Sequence, residues 1–222
     1  MTRALCLLTT LTACANTSVG ERPADPTDDT GGGAAPETTL RWSADEARLE
    51  PGSFTNWLDG TTQPPPAFSF GGDAIELGVF SPTTAHLTRA QPLDAPAAGA
   101  QTYWMNTNPW GNERDRMGQG TLQVAITAAT IAGADYHIHA ALGQRLDLTA
   151  PDITVTLWVL TPGVPENAVR TTFPTMPAGG WTAVDLYWTA DRDDAEMYLL
   201  IDARGTALTL QQVLIDEITA SW

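Results

Sequence analysis

Few residues in this chain have the type and spacing to do chemistry. His137 and His139 stand two positions apart, so on an extended strand they share a face and could approach one metal ion together. A zinc centre needs a third and usually a fourth ligand, and neither a His-Glu-x-x-His helix nor a clustered carboxylate accompanies them. The pair therefore reads as an exposed polar strand face. Glu113 and Asp115 form the one carboxylate pair set among aromatic residues, and a glycoside hydrolase would hold such a pair across a cleft. They alternate with Arg114 and Arg116, which favours local ion pairing on a solvated turn. No Gly-x-Ser-x-Gly elbow occurs, and Cys6 and Cys14 are the only thiols, so nucleophilic catalysis has no centre to build on. The expectation is a protein that is not an enzyme.

Ligand binding is the other use for such residues. The stretch from Tyr103 to Arg116 shows no strand or helix period, yet it concentrates Tyr103, Trp104 and Trp110 beside Asn106, Asn108, Asn112, Glu113, Arg114 and Asp115. A sugar presents apolar C–H faces and a rim of hydroxyls, so it is held by aromatic platforms flanked by amide, carboxylate or guanidinium groups. Trp104 and Trp110 could equally plug the open end of the fold as hydrophobic lids. Trp158 lies on the opposite parity from Ile153, Val155 and Leu157, and so faces either an open groove or the underside of a loop.

The elements that must position these residues are strands. Leu122, Val124 and Ile126 alternate with polar or small residues, as do Tyr136 and Ile138, the run Ile153 to Val159, Val169 to Phe173, Val184 to Trp188 and Met197 to Ile201, with Val213 to Trp222 closing the chain. Earlier candidates are Ala74 to Phe80 and Ala85 to Thr88. This is the period of half-buried strands. The breaks between them are rich in Gly, Pro and Asp, and no amphipathic helix interrupts the series. With 16 Pro, 19 Gly and only 17% charged residues, the chain reads as an all-β protein: one antiparallel β-sandwich beginning near Leu40.

The formal charge is −15, and all eleven basic residues are Arg. Such a surface repels phosphate backbones, so nucleic acid is excluded as an expected partner. The N-terminus is more specific. Arg3 precedes the short apolar run Ala4 to Leu11, and Leu11-Thr12-Ala13-Cys14 follows. The run is shorter than the roughly 20 apolar residues that span a bilayer. This order resembles a bacterial lipoprotein signal peptide, which implies cleavage before Cys14 and acylation of that residue, with a membrane as partner through the lipid. Ala15 in place of Asp implies retention in the outer membrane of a bacterial cell envelope. The residues after Cys14 are polar, with three consecutive Gly at 31–33 and no apolar period, the composition of a disordered tether. The expected organisation is a signal peptide over 1–13, a lipidated flexible linker over 14–39 and a β-sandwich over 40–222.

The sandwich region also resembles a family. Phe54, Trp57, Asp59, Gly60, Pro66 and Phe68 stand in the order of the opening segment of bacterial carbohydrate-binding modules with a galactose-binding-like jelly roll. Leu148 to Val159, Gly180-Trp181-Thr182-Ala183-Val184 and Leu214-Ile215-Asp216-Glu217-Ile218 are similar to three of that family's later strands. Thr55 replaces the usual Glu, and Phe68 stands where Trp is common. The resemblance implies non-catalytic binding of a glycan, polysaccharide or other cell-surface polymer. A structural lipoprotein that docks on another envelope protein is the alternative. It also implies that no cofactor is required, beyond a possible structural Ca²⁺ held in part by Asp216. Thr55 removes another of that ion's expected ligands, which leaves Asp73 or the run Asp191 to Asp194 as the alternative sources of oxygens.

Overall fold

A computed structural model describes residues 38–71, 75–82, 96–107, 119–145, 148–161, 163, 167–206 and 209–222. All belong to one compact unit, Pro36–Trp222. The strands are β1 (Thr39–Trp42), β2 (Phe68–Gly71), β3 (Ile75–Phe80), β4 (Thr102–Thr107), β5 (Gln119–Thr127), β6 (Asp135–Gly143), β7 (Asp152–Leu160), β8 (Asn167–Thr172), β9 (Trp181–Thr189), β10 (Glu196–Arg204) and β11 (Gln211–Ser221). Two short 3-10 turns, Ala44–Ala47 and Trp57–Asp59, precede β2. Each starts where a side-chain oxygen, of Ser43 or Asn56, accepts the backbone N–H two residues on.

The strands form two antiparallel sheets. One has the order β3-β4-β11-β6-β9, with β1 pairing the far half of β11; the other runs β2-β5-β10-β7-β8. Their inner faces enclose one core. Ile153, Val155, Leu157 and Val159 of β7 and Met197, Leu199, Ile201 and Ala203 of β10 all point inward. They meet Leu77, Tyr103, Met105, Tyr136, Ile138, Val184, Leu186 and Ile215 of the other sheet. This is the expected β-sandwich.

The register sorts the strand ends into two poles. At one, β10 begins opposite the ends of β5 and β7, and β6 begins opposite the end of β9. The turns there cross between sheets and bond to each other through Thr130 and Ala195 and through Gly133 and Ala190. The segment Asp191 to Asp194, which reads in sequence as a hairpin tip, is one of these inter-sheet turns, because β9 and β10 lie in different sheets. The first described residue, Thr38, is also here, bonded both ways to Trp222. The opposite pole holds the end of β4, the starts of β5, β7, β9 and β11, and the connection from Phe173 to Gly180.

One expectation is corrected. Tyr103 to Asn106 do not form an irregular loop; they are the body of β4. All six β4 residues are buried, because the strand is covered on both faces. Tyr103 and Met105 enter the core, while Trp104 points outward and donates its indole N–H to the Thr55 carbonyl at 3.1 Å. Phe54 packs edge-on against the Trp104 ring at 6.0 Å. A strand buried on both faces has no polar parity, so it leaves no alternation in the sequence. Phe173 is corrected as well: it lies past the end of β8 and is 74% exposed.

Candidate functional site

The outer face of the five-stranded sheet carries the side chains that alternate with the core. On β7 these are Asp152, Thr154, Thr156, Trp158 and Leu160; on β10 they are Glu196, Tyr198, Leu200, Asp202 and Arg204. The register sets Tyr198 directly opposite Trp158, Leu200 opposite Thr156 and Asp202 opposite Thr154. On the other side of β10, Ala125, Gln123 and Thr121 face the same three residues.

Trp158 and Tyr198 are half-buried, with ring centroids 6.0 Å apart and planes 48° apart, a normal tilted aromatic pair. The Tyr198 hydroxyl donates to the Glu196 carboxylate. That bond, aided by partial burial, raises its pKa, keeping the phenol protonated and the ring oriented. Further along the strands, Thr121 donates to Asp202, and the Thr156 and Thr171 hydroxyls lie 3.3 Å apart. The row ends in a groove of about 700 Å³ at the second pole, lined by Asp152, Thr154, Phe173, Met176, Asp202 and Arg204. From Tyr198 to Arg204 the face runs roughly 20 Å at a strand's rise of about 3.3 Å per residue. Its chemistry is an aromatic platform at one end, hydroxyls and an amide in the middle, and two carboxylates, a guanidinium and an exposed phenyl ring at the other.

The sequence-predicted residues separate sharply. Trp158 lies half-buried on the outer face of the five-stranded sheet, outside the lining of the groove, and its partner Tyr198, forty residues away in sequence, carried no signal beyond its own parity. Tyr103 packs against Phe68 at 5.1 Å in the core, and burial, with the charge of nearby Glu46, pushes its hydroxyl pKa well up. It also lines a smaller cavity of about 370 Å³ beneath Pro64 to Pro66. Trp104 is covered as described. Asn106 is buried in a polar ladder, donating to Glu76 at 2.9 Å and accepting from Gln212 at 2.8 Å. Asn108, Trp110, Asn112, Glu113, Arg114 and Asp115 lie outside the described residues, as do Cys14 and Asp73.

Asp216 sits where β11 breaks register between Asp216 and Thr219, beside Glu217 at φ +50°. Its Oδ2 accepts the N–H of Ala98 and its Oδ1 that of Glu217, each at 2.9 Å. Burial raises its pKa against the lowering effect of those bonds. Asp45 similarly accepts the N–H groups of Ala100 and Gln101 at 2.9 Å, so two carboxylates pin the approach to β4. Each Asp216 oxygen is thus engaged by one backbone N–H, and Thr55, at the other position implied for Ca²⁺, is engaged with Val79 through both its N–H and its hydroxyl.

His137 and His139 do share the outer face of β6, as their spacing predicts. Sequence reading missed their partner. Asp185 of β9 pairs with His139, and its Oδ1 lies 2.8 Å from His137 Nε2 and 2.9 Å from His139 Nδ1. Partial burial raises the Asp185 pKa, but the two imidazole hydrogen bonds and their charges outweigh it, leaving the pKa below the usual value. Among the described residues no three His, Cys, Asp or Glu side chains are arranged to hold a metal.

No family model and no curated protein sequence matches the chain. Among solved structures it is similar to the Stig cyclase Fisc from Fischerella sp. TAU, in complex with (3Z)-3-(1-methyl-2-pyrrolidinylidene)-3H-indole. The TM-score is 0.58 at 10% identity, over 83% of this chain and 98% of that one. A second cyclase from Fischerella sp. TAU, in complex with 4-(1H-Indol-3-yl)butan-2-one, aligns at a TM-score of 0.50 and 11% identity, over 72% of this chain and 86% of the other. A structure of carbohydrate-binding modules from the β-sandwich superfamily aligns at 0.47 and 14% identity, over 75% and 60% of the two chains. At such identities the cyclase likeness establishes a shared β-sandwich fold, on which unrelated functions are built.

Proposed function

We propose that this chain binds a glycan or similar cell-surface polymer without turning it over, as a lipid-anchored protein of a bacterial envelope. The observation that carries the binding reading is the Trp158–Tyr198 pair on an open sheet face, continuous with a polar row that ends in the Asp152–Asp202–Arg204 groove. Aromatic faces stack on the apolar side of sugar rings, and the flanking carboxylates, hydroxyls and guanidinium match their rim of hydroxyls. The strand-built platform is rigid, so little order has to be imposed on binding.

Anchoring rests on the order Arg3, apolar run, Leu11-Thr12-Ala13-Cys14. One acyl chain holds a protein only marginally, and the several chains of a lipoprotein make attachment stable.

Two experiments test these readings. On a glycan array, Trp158→Ala is expected to lower binding by roughly ten- to a hundredfold, the loss of about 1.4–2.7 kcal/mol of stacking and burial. Unchanged binding, or capture of an envelope protein with no glycan bound, counts against the glycan reading. In the producing cell, Cys14→Ser is expected to move the protein from the membrane to the soluble fraction; retention in the membrane removes the anchor.

A further inference from the structure

We infer that the outer face of the six-stranded sheet carries a second saccharide platform, built on Tyr187 and braced by His137, Asp185 and His139. The proposal rests on the glycan reading for its ligand class, but on different residues and the opposite sheet. Tyr187 is 61% exposed, whereas Trp188 beside it turns into the core. Its ring is stacked on its cross-strand neighbour His137 at 4.4 Å and 6°. One ring face is therefore covered by the imidazole. Because β9 is the edge strand, the other face looks past the edge of the sheet, open to a flat apolar partner.

The ring is held by the His137 imidazole, and its backbone by Arg170. His137 is itself oriented by Asp185, which also receives His139. For both imidazoles to donate to one oxygen, His137 carries its proton on Nε2 and His139 on Nδ1. That leaves His137 Nδ1, His139 Nε2 and Asp185 Oδ2 to meet ligand hydroxyls. From beneath, Arg170 of β8 donates Nε–H to the Tyr187 carbonyl at 2.9 Å. This fixes the backbone under the ring and closes that carbonyl of the edge strand to an incoming strand. Around the platform the register places further polar groups, with Ser221 and Thr39 in the row of His137, and Thr219 and Arg41 in the row of His139. An aromatic face fixed by stacking, next to a carboxylate whose orientation is set by two imidazoles, is a preorganised arrangement for a pyranose ring with adjacent hydroxyls. Two platforms on opposite sheets would let one domain join two polymer chains, and avidity would then exceed the affinity of either site.

The test uses the full chain with cello-, xylo- and galacto-oligosaccharides as probes. The His137 and His139 imidazole resonances report this face, and the part of the tryptophan fluorescence response that Trp158→Ala abolishes reports the Trp158 face. The expected result is a saturable shift of both imidazole signals with at least one probe. The shift persists in Trp158→Ala and disappears in Tyr187→Ala, while the fluorescence response to that probe survives in Tyr187→Ala. Retention on the matching insoluble polysaccharide should fall at least tenfold in either single variant. Imidazole signals that respond to no probe overturn the second platform, whether or not the Trp158 face binds. A response in wild type that is unaltered by Tyr187→Ala overturns it too. Since Tyr187 is exposed, the variant is expected to fold; Tyr187→Phe, which keeps the ring face, should restore the shift and separates loss of the platform from loss of structure.

Discussion

Asp216→Ala is expected to lower the free energy of unfolding by about 3 kcal/mol. The substitution removes the acceptor of two backbone N–H groups, those of Ala98 and Glu217. Asp216 is only 2% exposed, so water does not readily replace it, and each unsatisfied buried donor costs about 1–3 kcal/mol. The ionisation of Asp216 works in the other direction. A carboxyl whose pKa is raised by folding binds its proton more tightly in the native state, so the charged form is a cost to the native protein near neutral pH. As pH falls from that raised pKa toward the unfolded value of about 3.9, the native protein gains stability from this group. Asp216→Asn cannot titrate. The stability of wild type relative to the Asn variant should therefore increase as pH is lowered through that window. Urea unfolding of both variants across pH checks both points. An Ala variant within about 0.5 kcal/mol of wild type, as for an ordinary surface substitution, would show that Ala98 and Glu217 do not depend on this carboxylate.

Gly78→Ala is expected to cost about 3 kcal/mol, at the upper end of the range for overpacking. A Cβ at position 78 would lie 1.9 Å from the Thr55 carbonyl oxygen and 2.7 Å from its carbon, and these are backbone atoms that no rotamer change can move. Thr55 donates its N–H to Val79 at 2.8 Å, accepts the Val79 N–H on its hydroxyl at 3.0 Å and accepts the Trp104 indole at 3.1 Å. Lifting this segment breaks all three bonds and uncovers Trp104. A double-mutant cycle identifies the cause. In the wild-type background Trp104→Phe should cost about 1 kcal/mol for the lost hydrogen bond, and in Gly78→Ala that cost should shrink toward zero. Full additivity would mean that the Thr55 cover is still in place in Gly78→Ala.

These two sites also show where sequence reading stopped. The alternation along β7, β9 and β10 was legible because each strand buries one face, so every second residue must be apolar. Parity alone placed Trp158 on the outer face. Strand β4 was not legible. With Phe54 and Thr55 over one side and the core on the other, Trp104 and Asn106 are buried for different reasons, one under a loop and one in a polar ladder with Glu76 and Gln212. An amide and an indole in sequence look the same whether they await a ligand or already satisfy each other. The imidazole pair was equally incomplete. Its spacing announced a shared face, but Asp185 is 46 residues from His139 and meets it only through the pairing of β6 with β9.

What the amino-acid sequence determined by itself was local in origin: strand after strand, which face of each is apolar, and the turn chemistry between them. Those follow from backbone geometry, since side chains alternate across any extended segment whatever lies beside it. The tertiary structure alone decided which strands are neighbours and in what register. That pairing put Tyr198 against Trp158 and Asp185 between two histidines. A one-residue slip would send each of these side chains to the other face, and the hydrophobic burial that prevents the slip is a property of the two sheets together.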